Sequence, residues 1–320
     1  MAEIGSMIAS TMNNMGRSLV DQVMSEYPLT AYLNVNDRVK PVDGGLQIQE
    51  PLSISLNPSV TWRNYREKID FAEDDPFTFA VWDWRFLNGS VSWFEAQEKM
   101  CQGKSQIFDF VEEKIGNFRD SMKNGFSTGL WGDGSGKTMH GIQALFSYTN
   151  TYGGINRVGN TWWQPMNGTV LSTVEPLVLR GGTDGGIRKA YNLASGNGGA
   201  EPPDFAATTE LLYTRIESLI DPQRIYENPK MIELGFPNHL MIDNMTVVWD
   251  TNCPTGWFPM LNSKYVKLRP HTGNVDSFNL TPRFDLYPEG QRGKAILGEW
   301  MGNMTCTRPN RQGLLTGKTA

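Results

Sequence analysis

His140-Gly141-Ile142-Gln143-Ala144-Leu145-Phe146 leads into Thr151-Tyr152-Gly153-Gly154-Ile155-Asn156-Arg157 and then Asn160-Thr161-Trp162-Trp163, an aromatic, glycine-rich run within a chain of 320 residues. It lies between two Gly-rich stretches, residues 132–136 and 181–199, the second with seven glycines, and both read as long flexible loops. Upstream, Ser92-Trp93-Phe94-Glu95 matches a capping box, in which the Ser side chain caps a backbone N–H and the Glu reaches back. A helix is expected to start there and to run to about residue 127, because Ile107, Val111, Ile115, Phe118, Met122 and Phe126 keep one apolar stripe. Unbroken, it would be on the order of 50 Å long, with Gly103 and Gly116 as places for a kink or a break. A helix of that length is unusual for a compact domain.

Before the helix, residues Leu46 to Leu56 alternate in two short runs separated by Glu50-Pro51, and Thr78 to Phe86 reads as a second strand with aromatics on both faces. They read as the two arms of a long hairpin. Between them Arg63, Arg66, Glu67, Lys68, Asp70, Glu73, Asp74 and Asp75 form a charge-dense connection that offers little to a core and is expected to project outward. A two-stranded hairpin is marginal in water and must rest on other strands or another molecule. At the start of the chain Ile4, Met7, Ile8, Met12, Met15, Leu19 and Val23 are spaced as an amphipathic helix that stops ahead of Pro28. Its methionines make a soft face that suits either a neighbouring chain or this chain's own core.

Downstream, a helix is marked by Leu211, Leu212, Ile216, Leu219 and Ile220, and strands by Leu240 to Ile242, Met245 to Trp249 and Tyr265 to Leu268. The composition is α+β. Charged residues are 20% of the chain, below the usual share of about 25%, while Trp equals Tyr at 10 each. The deficit hints that some surface faces other subunits. A net charge of −5 argues against an overall basic grip on nucleic acid. Because Asp83 interrupts the greasiest stretch, no apolar run reaches the roughly 18 residues of a membrane span. Glu3 stands where a secretory signal would be basic, so the protein is expected to stay in a cytoplasm.

No reading of the residues supports catalysis. Gly132-Asp133-Gly134-Ser135-Gly136-Lys137-Thr138 invites comparison with a phosphate-binding loop, but that motif needs Gly where Trp131 stands, and it follows a strand rather than a helix. His140, His239 and His271 share no metal-ligand spacing with each other or with Cys101, Cys253 and Cys306, and no CxxC pair occurs. Neither a metal nor a cofactor is expected. Arg308, Arg311 and Lys318 make the tail from Arg308 to Ala320 locally basic, which suits contact with phosphate or an acidic neighbour, or a frayed terminus.

The run from His140 to Trp163 resembles the Gly-Leu-x-x-Leu, Tyr-Gly-Gly-Ile-Asp-Arg and Trp-Trp pattern of major capsid proteins of tailed bacteriophages with the Hong Kong 97-like fold, with Ile142 for the usual Leu and Asn156 for the usual Asp. Val247-Val248-Trp249-Asp250, Cys253-Pro254, Phe258, Met260-Leu261-Asn262 and Lys267-Leu268 look like the same family. The resemblance implies an N-terminal arm at 1–40, an extended β-hairpin loop at 41–90, a peripheral domain with its spine helix at 91–134, an axial domain at 135–260, and a return to the peripheral domain with a C-terminal tail at 261–320. Its specific motifs cover only residues 140–163 and 247–268.

The function it implies is assembly: hexamers and pentamers tiling an icosahedral shell around double-stranded DNA. Scaffolding, portal and decoration proteins are the implied partners, with weak non-specific contact to the packaged DNA. Such a protein is built in the bacterial cytoplasm and ends in the virion. A decoration or tail component is the alternative, and a nucleotide-binding enzyme a distant third. Candidate subunit contacts are Met7, Met12 and Met15 on the arm, and Trp62, Arg63, Tyr65, Arg66, Lys68, Glu73, Asp74, Asp75, Trp82 and Trp84 on the hairpin, with Arg63, Arg66 and Lys68 expected to pair with acids on adjacent subunits. Some members of the family crosslink Lys to Asn between subunits. Lys68 is the one lysine between Pro41 and Glu98, but no matching catalytic pattern is present and no crosslink is expected.

Overall fold

The computed structural model describes residues 27–56, 60–68, 75–100, 104–220, 239–274, 279–281, 284–286, 290 and 292–320. The expected N-terminal helix with Met7, Met12 and Met15, the acids Glu73 and Asp74, and Cys101 lie outside the described residues. A short helix, α1 (Pro28–Val35), opens the described chain and buries Leu29, Tyr32 and Leu33, with the Tyr32 ring stacked 4.2 Å from that of Phe205. Residues 28–35 of the expected arm therefore pack on this chain's own core.

Strands β1 (Gln47–Ser53) and β2 (Phe77–Asp83) pair antiparallel, from Gln47 opposite Asp83 to Ser53 opposite Phe77. The alternation expected of a hairpin is present, with Ile48 and Leu52 inward beside Ala80 and Trp82. Two details differ from expectation. β1 runs unbroken through Glu50-Pro51. The second run splits at Trp84, and β3 (Arg85–Phe94) begins after it. The helix consequently starts at Glu95, as α2 (Glu95–Met100), and Ser92 lies in a strand instead of a cap. The reason is long-range: β3 pairs along its whole length with β14 (Gly293–Cys306), which holds residues 85–94 extended. The side chain of Gln97 reaches back to accept from the Phe94 N–H.

The long helix is α3 (Lys104–Leu130), whose 27 residues span about 40 Å. Ile115, Phe118, Met122, Phe126 and Leu130 are buried along the expected stripe. The helix crosses β3 and β14 at Gly89 and Gly298, which face each other across the ladder. A Cβ on Gly89 would sit 2.6 Å from the Phe118 ring, and one on Gly298 would sit 2.8 Å from it. The two glycines form the notch that seats the helix. Gly298→Val is expected to cost about 1–3 kcal/mol by overpacking, read as a lower urea midpoint, and Phe118→Leu in the same chain should recover part of it.

After α3 come α4 (Ile142–Leu145), the two-residue strands β4 (Thr151–Tyr152), β5 (Ile155–Asn156) and β6 (Glu175–Pro176), and α5 (Gly186–Ser195). A second sheet follows, built from β7 (Phe205–Thr208), β8 (Leu240–Ile242), β9 (Met245–Trp249) and β10 (Phe258–Leu261), with α6 (Glu210–Leu219) after β7. The chain then returns through β11 (Val266–Pro270), β12 (Asn279–Leu280) and β13 (Phe284–Asp285), each pairing with β14.

The tail is folded, contrary to a frayed terminus. Its strand β15 (Gly313–Leu315) pairs with β10, and β16 (Lys318–Thr319) pairs with β6. All three of its basic residues have partners within the chain. Lys318 is buried, donating to Asp184 at 2.7 Å, Glu175 at 3.0 Å and the Thr173 carbonyl at 3.1 Å. Arg308 and Arg311 each approach Glu201 at 3.2 Å, beside Lys264 at 3.1 Å. The Tyr265 hydroxyl, then Lys264 and Arg308, pull the Glu201 carboxyl down to about 2. Glu201 therefore adds stability above its unfolded value near pH 4.5, and that stability is lost as pH falls toward 2. Glu201→Gln should lower the urea midpoint at pH 7 while flattening its decline between pH 5 and 2.5.

Candidate functional site

The run from His140 to Trp163 builds the seat on which the hairpin rests. β4 and β5 are joined by Gly153 and Gly154, both at positive φ (57° and 74°), a two-residue turn that glycine adopts without strain. The Gly153 carbonyl accepts the Val81 N–H of β2 at 2.9 Å. A Cβ on Gly153 would lie 2.9 Å from the Trp82 ring and 3.1 Å from Ala80. Trp82 meets the Tyr152 ring edge-on at 5.5 Å. Trp163 Nε1 donates to the Tyr152 carbonyl at 2.9 Å. Arg157 is fully buried beneath, its guanidinium 4.6 Å from the Tyr152 ring centre and donating to the carbonyls of Ala144, at 3.0 Å, and Ser147. Burial lowers its pKa to about 10, so it stays cationic at pH 7. The whole arrangement is a packed platform: Trp163 Nε1 and Arg157 Nη1 turn onto main-chain carbonyls, while Arg157 Nε and Nη2 and Trp82 Nε1 are buried without a hydrogen-bond partner among the described residues.

Two polar anchors fasten the hairpin to the body. Glu50 shares the inward face with Ile48 and Leu52, and its carboxylate takes Arg269 Nε at 2.7 Å together with a second Arg269 contact through Nη2, and Lys267 at 3.5 Å. Asn303 on β14 donates to the Asp83 carbonyl at 2.9 Å, where β2 ends. Trp84 Nε1 closes the base by donating to the Gly45 carbonyl at 2.8 Å. A further pair of contacts joins the end of α3 to the second sheet: Trp131 Nε1 donates to Asp250 at 3.1 Å and Asn252 to Ser127 at 2.6 Å. Burial raises the Asp250 pKa.

Beyond the anchors the described residues of the hairpin are bare. Leu56, Val60, Trp62 and Tyr65 are almost wholly exposed, and Arg63, Arg66, Lys68 and Asp75 are exposed with them. Contacts there are local: Arg63 donates to the Glu67 carbonyl at 3.0 Å, and the Glu67 carboxylate accepts the Asn64 N–H at 2.9 Å. Phe77 and Phe79 make an outward apolar face on β2. Trp82 and Trp84, expected as subunit contacts, are instead 1% and 9% exposed and belong to this chain's core. The cause is the period of two: residues 80, 82 and 84 all fall on the buried side of the chain, Ala80 and Trp82 against the seat and Trp84 against His271.

Sequence reasoning missed Glu50 and Asn303. Glu50 carried a signal, an acid at the middle of an apolar strand face, which requires a cation; Asn303 carried none. His140 packs against Asn303 and His271 stacks edge-on against Trp84 at 5.9 Å. Among the described residues no group of His, Cys, Asp and Glu is arranged to hold a metal ion. The loop at 132–138 leaves α3, not a strand, and Arg85 donates to its Gly136 carbonyl at 2.7 Å.

No family model and no curated protein matches the chain. Solved structures do. Similar chains come from the capsid asymmetric unit of cyanophage A-1(L) (TM-score 0.60, 14% identity, covering 88% of this chain and 91% of that one). Others are from the capsid of the native GTA particle (0.54, 9%, 89% and 90%) and the capsid of Myoviridae phage XM1 (0.50, 10%, 88% and 90%). At these identities the likeness is one of fold: the chain shares the Hong Kong 97-like fold of those capsid chains.

Proposed function

We propose that this chain is a major capsid protein of a tailed bacteriophage, acting by assembly and not by catalysis. Copies associate as hexamers and pentamers and close into an icosahedral shell around double-stranded DNA. The observation that carries this reading is a capsid fold spanning some nine-tenths of the chain, combined with a hairpin whose base is locked to its own subunit while the aromatics of its connection, Trp62 and Tyr65, are left uncovered. Large exposed aromatics rimmed by charge mark an association surface.

In this reading the connection of the 41–90 hairpin reaches over an adjacent subunit while its base stays on its own, the 1–40 segment supplies an arm with residues 28–35 as its root on the core, 91–134 and 261–320 make the peripheral domain, and 135–260 the axial domain. The folding of residues 313–319 onto the 135–260 region supports a tail shared between the two. Arg63, Arg66 and Lys68 meet acids on a neighbour, where they set register more than affinity. Scaffolding, portal and decoration proteins are the further partners, and the virion, assembled in the host cytoplasm, is the destination. The net charge of −5 keeps DNA contact weak.

Electron microscopy of the purified chain, expressed alone and with its genomic neighbours, tests the proposal. Closed shells are expected in at least one case. Dispersed monomers in both, or open tubes carrying tail features, would overturn it.

A further inference from the structure

We propose that Asn303 and His140 are a positioning pair that sets the direction in which the hairpin leaves the subunit, and that the pair holds only while His140 is uncharged. The inference rests on reading the hairpin as an intersubunit arm.

Asn303 is fully buried at the crossing of three segments: β14, which carries it, the end of β2, and the start of the seat. An Asn side chain has two donor hydrogens and two acceptor lone pairs, and here all four are engaged. Nδ2 lies 2.9 Å from the Asp83 carbonyl and 3.0 Å from His140 Nδ1. Oδ1 accepts the main-chain N–H of His140 at 3.0 Å and of Met304 at 2.9 Å. Turning the amide over would set oxygen against the Asp83 carbonyl and NH2 against two N–H groups, so its orientation is dictated by its main-chain neighbours. His140 Nδ1 therefore accepts, and the imidazole carries its one proton on Nε2.

A proton added at Nδ1 would face the Asn303 NH2 donor to donor. Neither side can yield by sliding. A Cβ on Gly134 would stand 2.6 Å from the ring, so the loop backbone closes one face, and the Tyr152 ring sits edge-on at 6.5 Å. Relief comes by breaking one of the Asn303 bonds, and the bond to Asp83 is the one that joins the hairpin.

The charged groups around the ring come from both sides of the β2–β3 corner. Burial and the Arg85 guanidinium lower the His140 pKa below its ordinary value, and the Asp83 carboxylate and the contact with Asn303 oppose them without reversing the direction. Asp83 is itself occupied by Gln47 at 2.8 Å, and Lys137 on the adjoining loop is exposed. The sign follows: with the folded pKa below the unfolded one, the latch is complete at and above about pH 6.5 and is lost as pH falls.

The test uses the full-length chain as isolated subunits. Imidazole nitrogen shifts report the tautomer and titration of His140, and amide exchange, corrected for the intrinsic pH dependence, reports protection of residues 77–83 against residues 245–249. The expected result is an Nε2–H tautomer at pH 7, with protection at 77–83 falling about tenfold as His140 titrates while 245–249 is unchanged. His140→Gln, which cannot take a charge, should keep 77–83 equally protected from pH 7 to pH 5. An Nδ1–H tautomer, titration of His140 without loss at 77–83, or the same loss in His140→Gln would each overturn the proposal. The wild-type measurement stands alone if the variant does not fold. Shell formation is scored separately by microscopy, so failure to assemble counts against the assembly reading and leaves the positioning pair judged on exchange.

Discussion

Gly153→Val is expected to lower subunit stability by about 3–5 kcal/mol, on the order of 10 °C in melting temperature. Two costs act together. The residue sits at φ 57°, where a β-branched side chain is strained, and its Cβ would stand 2.9 Å from Trp82 and 3.1 Å from Ala80. Trp82 cannot retreat, because it is fully buried and pressed against Tyr152. The damage should concentrate at the hairpin: the Val81 to Gly153 hydrogen bond would lengthen, and proteolysis between the two strands should accelerate. A melting temperature within about 2 °C of the parent would show that the hairpin does not rest on this turn. Gly154→Val is the control, since its strain is similar but its Cβ would have 3.9 Å of room to Val81.

Trp62→Ala combined with Tyr65→Ala should do the reverse, leaving the subunit intact and stopping assembly. Both side chains are almost wholly exposed, so truncation is expected to change the melting temperature of the subunit by no more than a surface substitution does, within about 0.5 kcal/mol. Buried aromatic anchors at an interface are each worth about 2–4 kcal/mol. Every copy in a shell would lose the contact, so the threshold concentration for closed particles should rise by well over tenfold. Sedimentation of the double variant at rising concentration reads this directly. Shells at the parental threshold would place these two aromatics outside the contact surface. Trp82→Ala makes the contrast: a core loss of about 3–5 kcal/mol in the subunit.

Much of this was legible locally. Period-two alternation from Ile48 to Leu52 and the stripe from Ile115 to Phe126 are properties of adjacent residues, and they placed the hairpin and the long helix without any partner being known. The error at Ser92 has the opposite origin. Its capping pattern is real, but β14, some two hundred residues away, pairs with residues 85–94 and outweighs a cap worth about 1 kcal/mol. The tail misled for the same reason. Arg308, Arg311 and Lys318 look like a free basic segment until Glu201, Glu175 and Asp184, distant in sequence, arrive beside them.

The aromatics divide along the same line. Composition and pattern were enough for an α+β chain with a projecting hairpin and more Trp than a lone subunit of low charge would present. They could not say which Trp turned inward. Trp62 and Trp82 flank the same connection and read alike, yet one is bare and the other buried, because only Trp82 falls where Gly153 leaves room for a ring. Periodicity lives within a few residues, where backbone geometry alone sets which side chains share a face. The partners of Glu50, Asn303 and Lys318 exist only after segments far apart along the chain have packed, since a buried polar group is satisfied by whatever the fold carries to it.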